Sequence, residues 1–225
     1  LPYKAPVTAT YASSEALRVV TLEDGTTVTL TPRARMDVSF MKEERRVTSF
    51  DGVGYFHVAP DKARPFKIAL DDKTVTVVGT QFEVTNRDGV RSVSVAEGVV
   101  AVGDAKPGGG DSAARLVAGA RLSISPASAE PVIDAVDPAT ISVWRNGFLE
   151  FDDDEMDAVV KRLVEIYGKS SFGLADAATA KLRFSGILHL SDAASVARRL
   201  DELMPLKAVE RDGKYELMAD NSTPQ

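Results

Sequence analysis

The sequence predicts a chain in two parts. Residues 1–143 read as an all-β domain of stacked short strands, either a sandwich or a β-helix-like stack. Residues 144–225 read as a small α+β domain with the order β-α-β-β-α-β-β. Three observations carry this reading. Residues 15–125 alternate Val with Thr or Ser and show no helical period. The last third holds two apolar stripes at helical spacing. The composition changes character near residue 143.

In the first part, LEDGTTVTL (22–30), GYFHV (54–58), KTVTVVGTQFEV (73–84), VRSVSVAEGVVAV (90–102) and ARLSI (120–124) read as strands. Val28 and Leu30 share one face, with Thr27 and Thr29 on the other. Val93 and Val95 oppose Ser92 and Ser94 in the same way. Asp24-Gly25 and Asp88-Gly89 supply turns that need a positive φ. GDAKPGGGDSA (103–113) reads as an exposed loop. Residues 125–139 contain Pro126, Pro131 and Pro138 and read as a linker or an extended edge segment.

The second part opens with FLEF (148–151) as a strand. Asp152 with Glu155 reads as a capping box before a helix carrying Met156, Val159, Val160, Leu163 and Tyr167, ended by Gly168. SSFGL (170–174) and KLRFSGILHL (181–190) read as strands, the second with Leu182, Phe184, Leu188 and Leu190 on one face. Ser191 is expected to cap a second helix with the stripe Val196, Leu200 and Leu203, stopped by Pro205. LKAVERDGKYELMA (206–219) reads as a hairpin turning at Asp212-Gly213.

Composition narrows the function. With 44% apolar and 27% charged residues the chain is an ordinary globular one. It has no cysteine, which excludes disulfides, thiolate metal sites and cysteine nucleophiles. Its two histidines, His57 and His189, argue against a multi-histidine zinc site. A net charge of −6 argues against nucleic acid as the main partner. No apolar run is long enough to span a bilayer, and no secretory signal is visible. The chain begins at Leu1 rather than Met, as expected of a processed product or an excised portion.

No catalytic set stands out. Each histidine alternates against apolar neighbours and reads as a surface or interface group. No Walker loop, Rossmann fingerprint or Gly-x-Ser-x-Gly elbow occurs. The acidic run Glu150, Asp152, Asp153, Asp154, Glu155 and Asp157 lacks the order of a calcium loop and suits a helix N-terminus instead. Gly108-Gly109-Gly110 lacks the Lys-Ser/Thr of a phosphate loop. Trp144, the single tryptophan, reads as a buried anchor at the domain junction or as a partner hot spot. Neither a cofactor nor a metal is expected.

Several segments, taken in order, resemble the periplasmic portion of FecR/PupR-like transmembrane sensors, the anti-sigma factors (sigma regulators) of cell-surface signalling. These are LEDGTTVTLTPRARMDV (22–38), GVGYFHVAPDKARPFKI (52–68), VTVVGTQFEV (75–84), VSVAEGVVAV (93–102), LVAGARLSI (116–124) and WRNGFLEFDDDEMDAVVKRLVEIYG (144–168). The chain departs from the pattern at Thr31, where Asn is common, and at Ser14, where Gly often precedes the first strand. The resemblance implies a FecR domain over 1–143 and a domain like the secretin/TonB short N-terminal (STN) domain over 144–225. It also implies the periplasmic region of a single-pass inner-membrane protein, with a cytosolic anti-sigma segment lying upstream of Leu1.

The partners it implies are the signalling domain of an outer-membrane TonB-dependent transporter, an extracytoplasmic-function sigma factor and envelope proteases. Transporter occupancy, often by an iron-siderophore, would be relayed inward. The exposed side of the 181–190 strand, with Arg183, Ser185, Ile187 and His189, together with Phe172 on a neighbouring strand, is the expected contact face, because short strands offer edges and pockets for strand addition. Some members cleave themselves at a Gly-Thr bond, here Gly79-Thr80. In that chemistry the Thr80 hydroxyl attacks the Gly79 carbonyl carbon, the amide becomes an ester, and water hydrolyses it. Two alternatives stand beside this reading: an extracytoplasmic hydrolase using His57 with a carboxylate, and a glycan-binding β module.

Overall fold

The computed structural model describes residues 7–105 and 113–220. The chain divides into two compact units: Leu1–Ser14 with Arg18–Ser142, and Glu15–Leu17 with Val143–Gln225.

The first unit is built from strands: β1 (Val7–Ala12), β2 (Arg18–Thr21), β3 (Thr27–Leu30), β4 (Arg35–Phe40), β5 (Arg45–His57), β6 (Phe66–Leu70), β7 (Lys73–Val77), β8 (Gln81–Arg87), β9 (Val90–Glu97), β10 (Val99–Asp104), β11 (Ala114–Val117), β12 (Ala120–Ser125) and β13 (Ser128–Ala135). They form one 13-stranded sheet. The expected strand segments are present, but 73–84 and 90–102 each hold two strands, β7 with β8 and β9 with β10, the second pair parted by a turn at Gly98. The proline-bearing segment is the edge strand β13, paired only with β12 among the described residues. Gly108-Gly109-Gly110 lies outside the described residues.

β5 organises this unit. Its first half pairs with β4 and, in parallel, with β6, while its second half pairs with β3 and β8. One strand thereby serves two half-sheets, β1-β4-β5-β6-β7-β10-β11 and β2-β3-β5-β8-β9-β12-β13. The handover falls at Gly52, whose φ is +120°. The halves face each other across a shared core. Phe56 and Phe82 from one half stack with ring centres 5.5 Å apart, and Phe50 and Phe66 from the other meet Phe56 edge-on at 5.6 and 6.3 Å. Each such ring, fully buried, contributes about 1.5–3 kcal/mol. Of the ladders among the described residues of this unit only β5–β6 is parallel, so the arrangement is the sandwich form of the expected stack rather than a β-helix.

An ion pair is buried at the start of β5. Arg45 and Asp24 side chains are 1% and 3% exposed, with Nη1 2.7 Å from the carboxylate. Arg45 also donates to the carbonyls of Arg64 and Ala59, and its guanidinium lies 5.5 Å from the Phe66 ring centre. Asp24 accepts further bonds from the Thr26 N–H and hydroxyl. One guanidinium thus ties the Asp24-Gly25 turn to the loop after β5.

The second unit runs β14 (Phe148–Glu155), α1 (Met156–Tyr167), β15 (Phe172–Leu174), α2 (Ala177–Ala180), β16 (Arg183–His189), α3 (Ala193–Leu203), β17 (Leu206–Arg211) and β18 (Lys214–Ala219). This is the expected order with one short helix added. Asp176 caps that helix by accepting the Thr179 N–H. β14 pairs with β16 in one sheet, and β15-β18-β17 form another. α1 packs on β14 and β15, and α3 on β16, β17 and β18, so the helices lie between the two sheets. Met156, Val159, Val160, Leu163, Ile166 and Tyr167 form the buried stripe of α1, and the Gly168 N–H closes its end onto the Val164 carbonyl.

Two caps differ from expectation. Asp152 does not cap α1. β14 continues through the acidic run, with Asp154 and Glu155 paired to Phe184 and Arg183 after a bulge, and the helix begins at Met156. Strand pairing to β16 holds these residues extended, so no capping box forms. At α3 the cap is Asp192, not Ser191, and its carboxylate accepts the Ser195 N–H at 2.8 Å. That bond, with a second from the Ser195 hydroxyl, holds the Asp192 carboxyl below its ordinary range.

Candidate functional site

Alternation along β16 turns Phe184 and Leu188 inward and leaves Arg183, Ser185, Ile187 and His189 exposed. Ile187 is 50% exposed. Register with β14 sets Glu150 opposite Ile187 and Phe148 opposite His189, whose rings meet edge-on at 6.4 Å. Phe148 and Glu150 were absent from the sequence-derived face. The Phe-Leu-Glu-Phe alternation held the signal for them, but the strand partner was needed to place them.

The exposed residues divide by what they already hold. Asp153, at φ +55°, forms the β14 bulge. Its N–H donates to the Ser185 hydroxyl at 2.9 Å, and its carbonyl accepts from Arg183 at 2.7 Å. Arg183 and Ser185 therefore brace the bulge. Ile187 and His189, beside Phe148, present the apolar part of the surface.

Phe172 does not belong to this face. It is 2% exposed, with its ring 5.7 Å from that of Tyr167 and 5.9 Å from that of Tyr215. β15 pairs with β18 and not with β16, and the exchange of partner turns Phe172 toward the helices. Tyr167 beneath it is buried, and its hydroxyl donates to the Ser191 carbonyl at 2.7 Å. Burial raises this phenol well above its ordinary range, so it serves packing.

Gly79 and Thr80 connect β7 to β8. The Thr80 side chain is buried and its hydroxyl donates to the Val99 carbonyl at 3.1 Å. Its own carbonyl accepts the Val58 N–H. Gly79 is not in the left-handed region. A Cβ there would lie 3.0 Å from Pro60 Cα, which accounts for a glycine by close packing. A Cβ at Gly98 would lie 3.1 Å from the Thr80 hydroxyl and 3.3 Å from the Gly79 carbonyl oxygen, so the turn at Gly98 closes over this peptide.

His57 is exposed at the end of β5, between Thr27 and Gln81 in register, and its side chain makes no hydrogen bond or ion pair among the described residues. No group of three or more His, Asp or Glu side chains among the described residues could hold a metal ion. Trp144 is buried, in a single 3-10 turn that leads into β14. No helix of the described residues is long and apolar enough to cross a membrane.

A family model described as FecR protein matches residues 9–101, from within β1 into β10. No curated protein matches the chain. Two crystal structures of a Parabacteroides distasonis protein share its fold. One has a TM-score of 0.66 at 21% identity, covering 95% of this chain and 99% of that one. The other has a TM-score of 0.67 at 21% identity, covering 94% and 99%. The shared fold spans both units. Residues 9–101 are thus similar to FecR proteins, and the fold of the whole chain is shared with the Parabacteroides distasonis protein.

Proposed function

We propose that this chain is the periplasmic sensor region of a single-pass inner-membrane anti-sigma factor. Its second unit acts as the STN-like docking domain for the signalling domain of an outer-membrane TonB-dependent transporter. Transporter occupancy, by an iron-siderophore or a similar substrate, is relayed through the two units to an extracytoplasmic-function sigma factor. The observation that carries the reading is the FecR match together with a fold shared end to end with a protein assigned as an anti-sigma factor.

The exposed side of β16 supports it. Ile187, His189 and Phe148 form an apolar centre, and Glu150 and Arg183 provide a charged rim, the composition of a modest protein-binding patch. Calorimetric titration with the signalling domain of a neighbouring transporter tests this. Ile187→Asp should weaken binding by roughly tenfold or more, as expected when a central apolar contact is replaced by a charge. Unchanged affinity would remove β16 as the contact.

The module turns over no substrate, and Gly79-Thr80 stays intact. The Thr80 hydroxyl is bonded to the Val99 carbonyl, and neither residue has a left-handed φ whose relief would drive an acyl shift. Mass spectrometry of the refolded chain should return a single species at 24.1 kDa. Two fragments meeting at this bond would contradict the assignment.

A further inference from the structure

The order β15-β18-β17 leaves one edge of β17 without a strand among the described residues. We propose that this edge takes up an extended segment of a partner protein, one that carries an acidic, an apolar and a second acidic residue at alternate positions. This goes beyond the role proposed above and does not rest on it.

Backbone geometry comes first. Asp212 and Gly213 have φ of +52° and +79°, the signs of a two-residue hairpin turn, which makes Arg211 and Lys214 a hydrogen-bonded pair. By alternation Lys207 and Val209 also bond to β18, and Ala208 and Glu210 direct their backbone groups to the open side. The Ala208 N–H already donates across that side, to the Asp201 carboxylate at 3.1 Å. Asp201 at the end of α3 therefore occupies the position of a neighbouring strand's carbonyl. Its hydrogen bond from Lys207, at 3.0 Å, and the Ala208 N–H keep its carboxyl below the ordinary range.

Side chains then define the occupant. On the α3 side of the edge lies a groove of about 350 Å³ lined by Ala194, Ala197 and Ala208 together with Arg198, Asp201, Glu202 and Tyr215. Small residues of an added strand fit there. On the opposite side stand Lys207, Val209 and Arg211; the two cations are 60% and 63% exposed, and each already meets a carboxylate of this chain, Asp201 at 3.0 Å and Glu216 at 2.7 Å, which acids of an added strand would share. Lys214, opposite Arg211, adds a cation with no ion pair among the described residues. Its stem lies over Gly173, where a Cβ would be 2.6 Å from Cε. An added strand would bring alternate side chains against Lys207, Val209 and Arg211, so acid, apolar and acid complement them.

A second copy is a poor occupant. Antiparallel self-pairing centred on Val209 would set Lys207 against Arg211 of the other copy, a like-charge contact. The edge strand β13, in contrast, carries Pro131 between Glu130 and the Val132-Ile133 pair, and a proline is a usual device for blunting an edge.

The test is fluorescence anisotropy with two end-blocked peptides, Ser-Glu-Ala-Val-Ala-Asp-Ser and Ser-Lys-Ala-Val-Ala-Lys-Ser. The chain should bind the acidic peptide saturably and the lysine peptide roughly tenfold more weakly, because the lysine peptide sets like charges against Lys207 and Arg211. The variant with Lys207→Glu and Arg211→Glu should reverse the preference. Amide NMR shifts on wild-type chain should centre on Ala208, Val209 and Glu210, a readout independent of whether the variant folds. Equal affinity for both peptides, no saturation, shifts centred elsewhere, or a dimer in solution through this edge would overturn the proposal.

Discussion

Alanine in place of Gly52 should destabilise the β unit by about 3 kcal/mol or more, the sum of a left-handed backbone strain and a core clash. Gly52 is where β5 leaves one half-sheet and enters the other. Its φ is +120°, and a Cβ there would sit 2.4 Å from Ala34 Cβ and 2.8 Å from Ala34 Cα. Neither contact is a flexible side-chain end, so the backbone after β3 would have to move. Ala34 is itself buried and follows Thr31, whose N–H and hydroxyl both bond to the Val53 carbonyl, so the displacement would reach the crossing from both sides. Gly25→Ala is the matched control. Its φ is +84° but nothing lies within 4 Å of the added methyl, so only the backbone cost of about 1 kcal/mol remains. Urea titration followed by circular dichroism should separate the two variants clearly. Equal losses would show that β5 tolerates a side chain at the crossing.

Arg45→Ala should cost about 3–5 kcal/mol, the usual penalty for orphaning one charge of a buried pair. The substitution leaves the Asp24 carboxylate, 3% exposed, with only the Thr26 bonds. It also frees the carbonyls of Arg64 and Ala59 and empties the space beside Phe66. A double variant, Arg45→Met with Asp24→Asn, should recover much of the loss, because it removes both charges and keeps most of the volume. If the double variant were no more stable than Arg45→Ala, packing and not the orphaned carboxylate would dominate the site. The same urea titration decides between the two.

Much of this architecture is legible in the sequence where periodicity is local. Alternation of Val with Thr or Ser marks β3, β7 and β9, Asp24-Gly25 and Asp88-Gly89 mark the turns before β3 and β9, and the apolar stripe of α1 falls at the expected residues, whereas in α3 Val196 and Leu200 are buried and Leu203 is 42% exposed, with Ala193 and Ala197 completing the buried face. The misses share a cause, which is that they depend on distant partners. Nothing near Gly52 announces Ala34. The acidic run after Phe151 has the residues of a helix cap, but pairing to Phe184 and Arg183 keeps it in β14. Asp192 wins the α3 cap over the adjacent Ser191 by one position of register. β1 and β4 pair with each other at one margin of the sheet, and the exposed, mixed composition of Val7–Ala12 gives no apolar alternation to read.

The surfaces follow the same division. Alternation alone places Arg183, Ser185, Ile187 and His189 on the exposed side of β16. Assigning Phe172 to that surface required knowing its neighbouring strand, and the neighbour is β18. The open edge of β17 is likewise invisible in sequence, because only the pairing of β18 with β15 fixes which side of the hairpin is left free.

The central proposal is that this chain, similar to FecR proteins over residues 9–101, docks a transporter's signalling domain. Calorimetric titration of the whole chain with that domain tests it most directly. The account predicts saturable one-to-one binding that Ile187→Asp weakens. Absence of any binding to the signalling domains of the neighbouring transporters would contradict it.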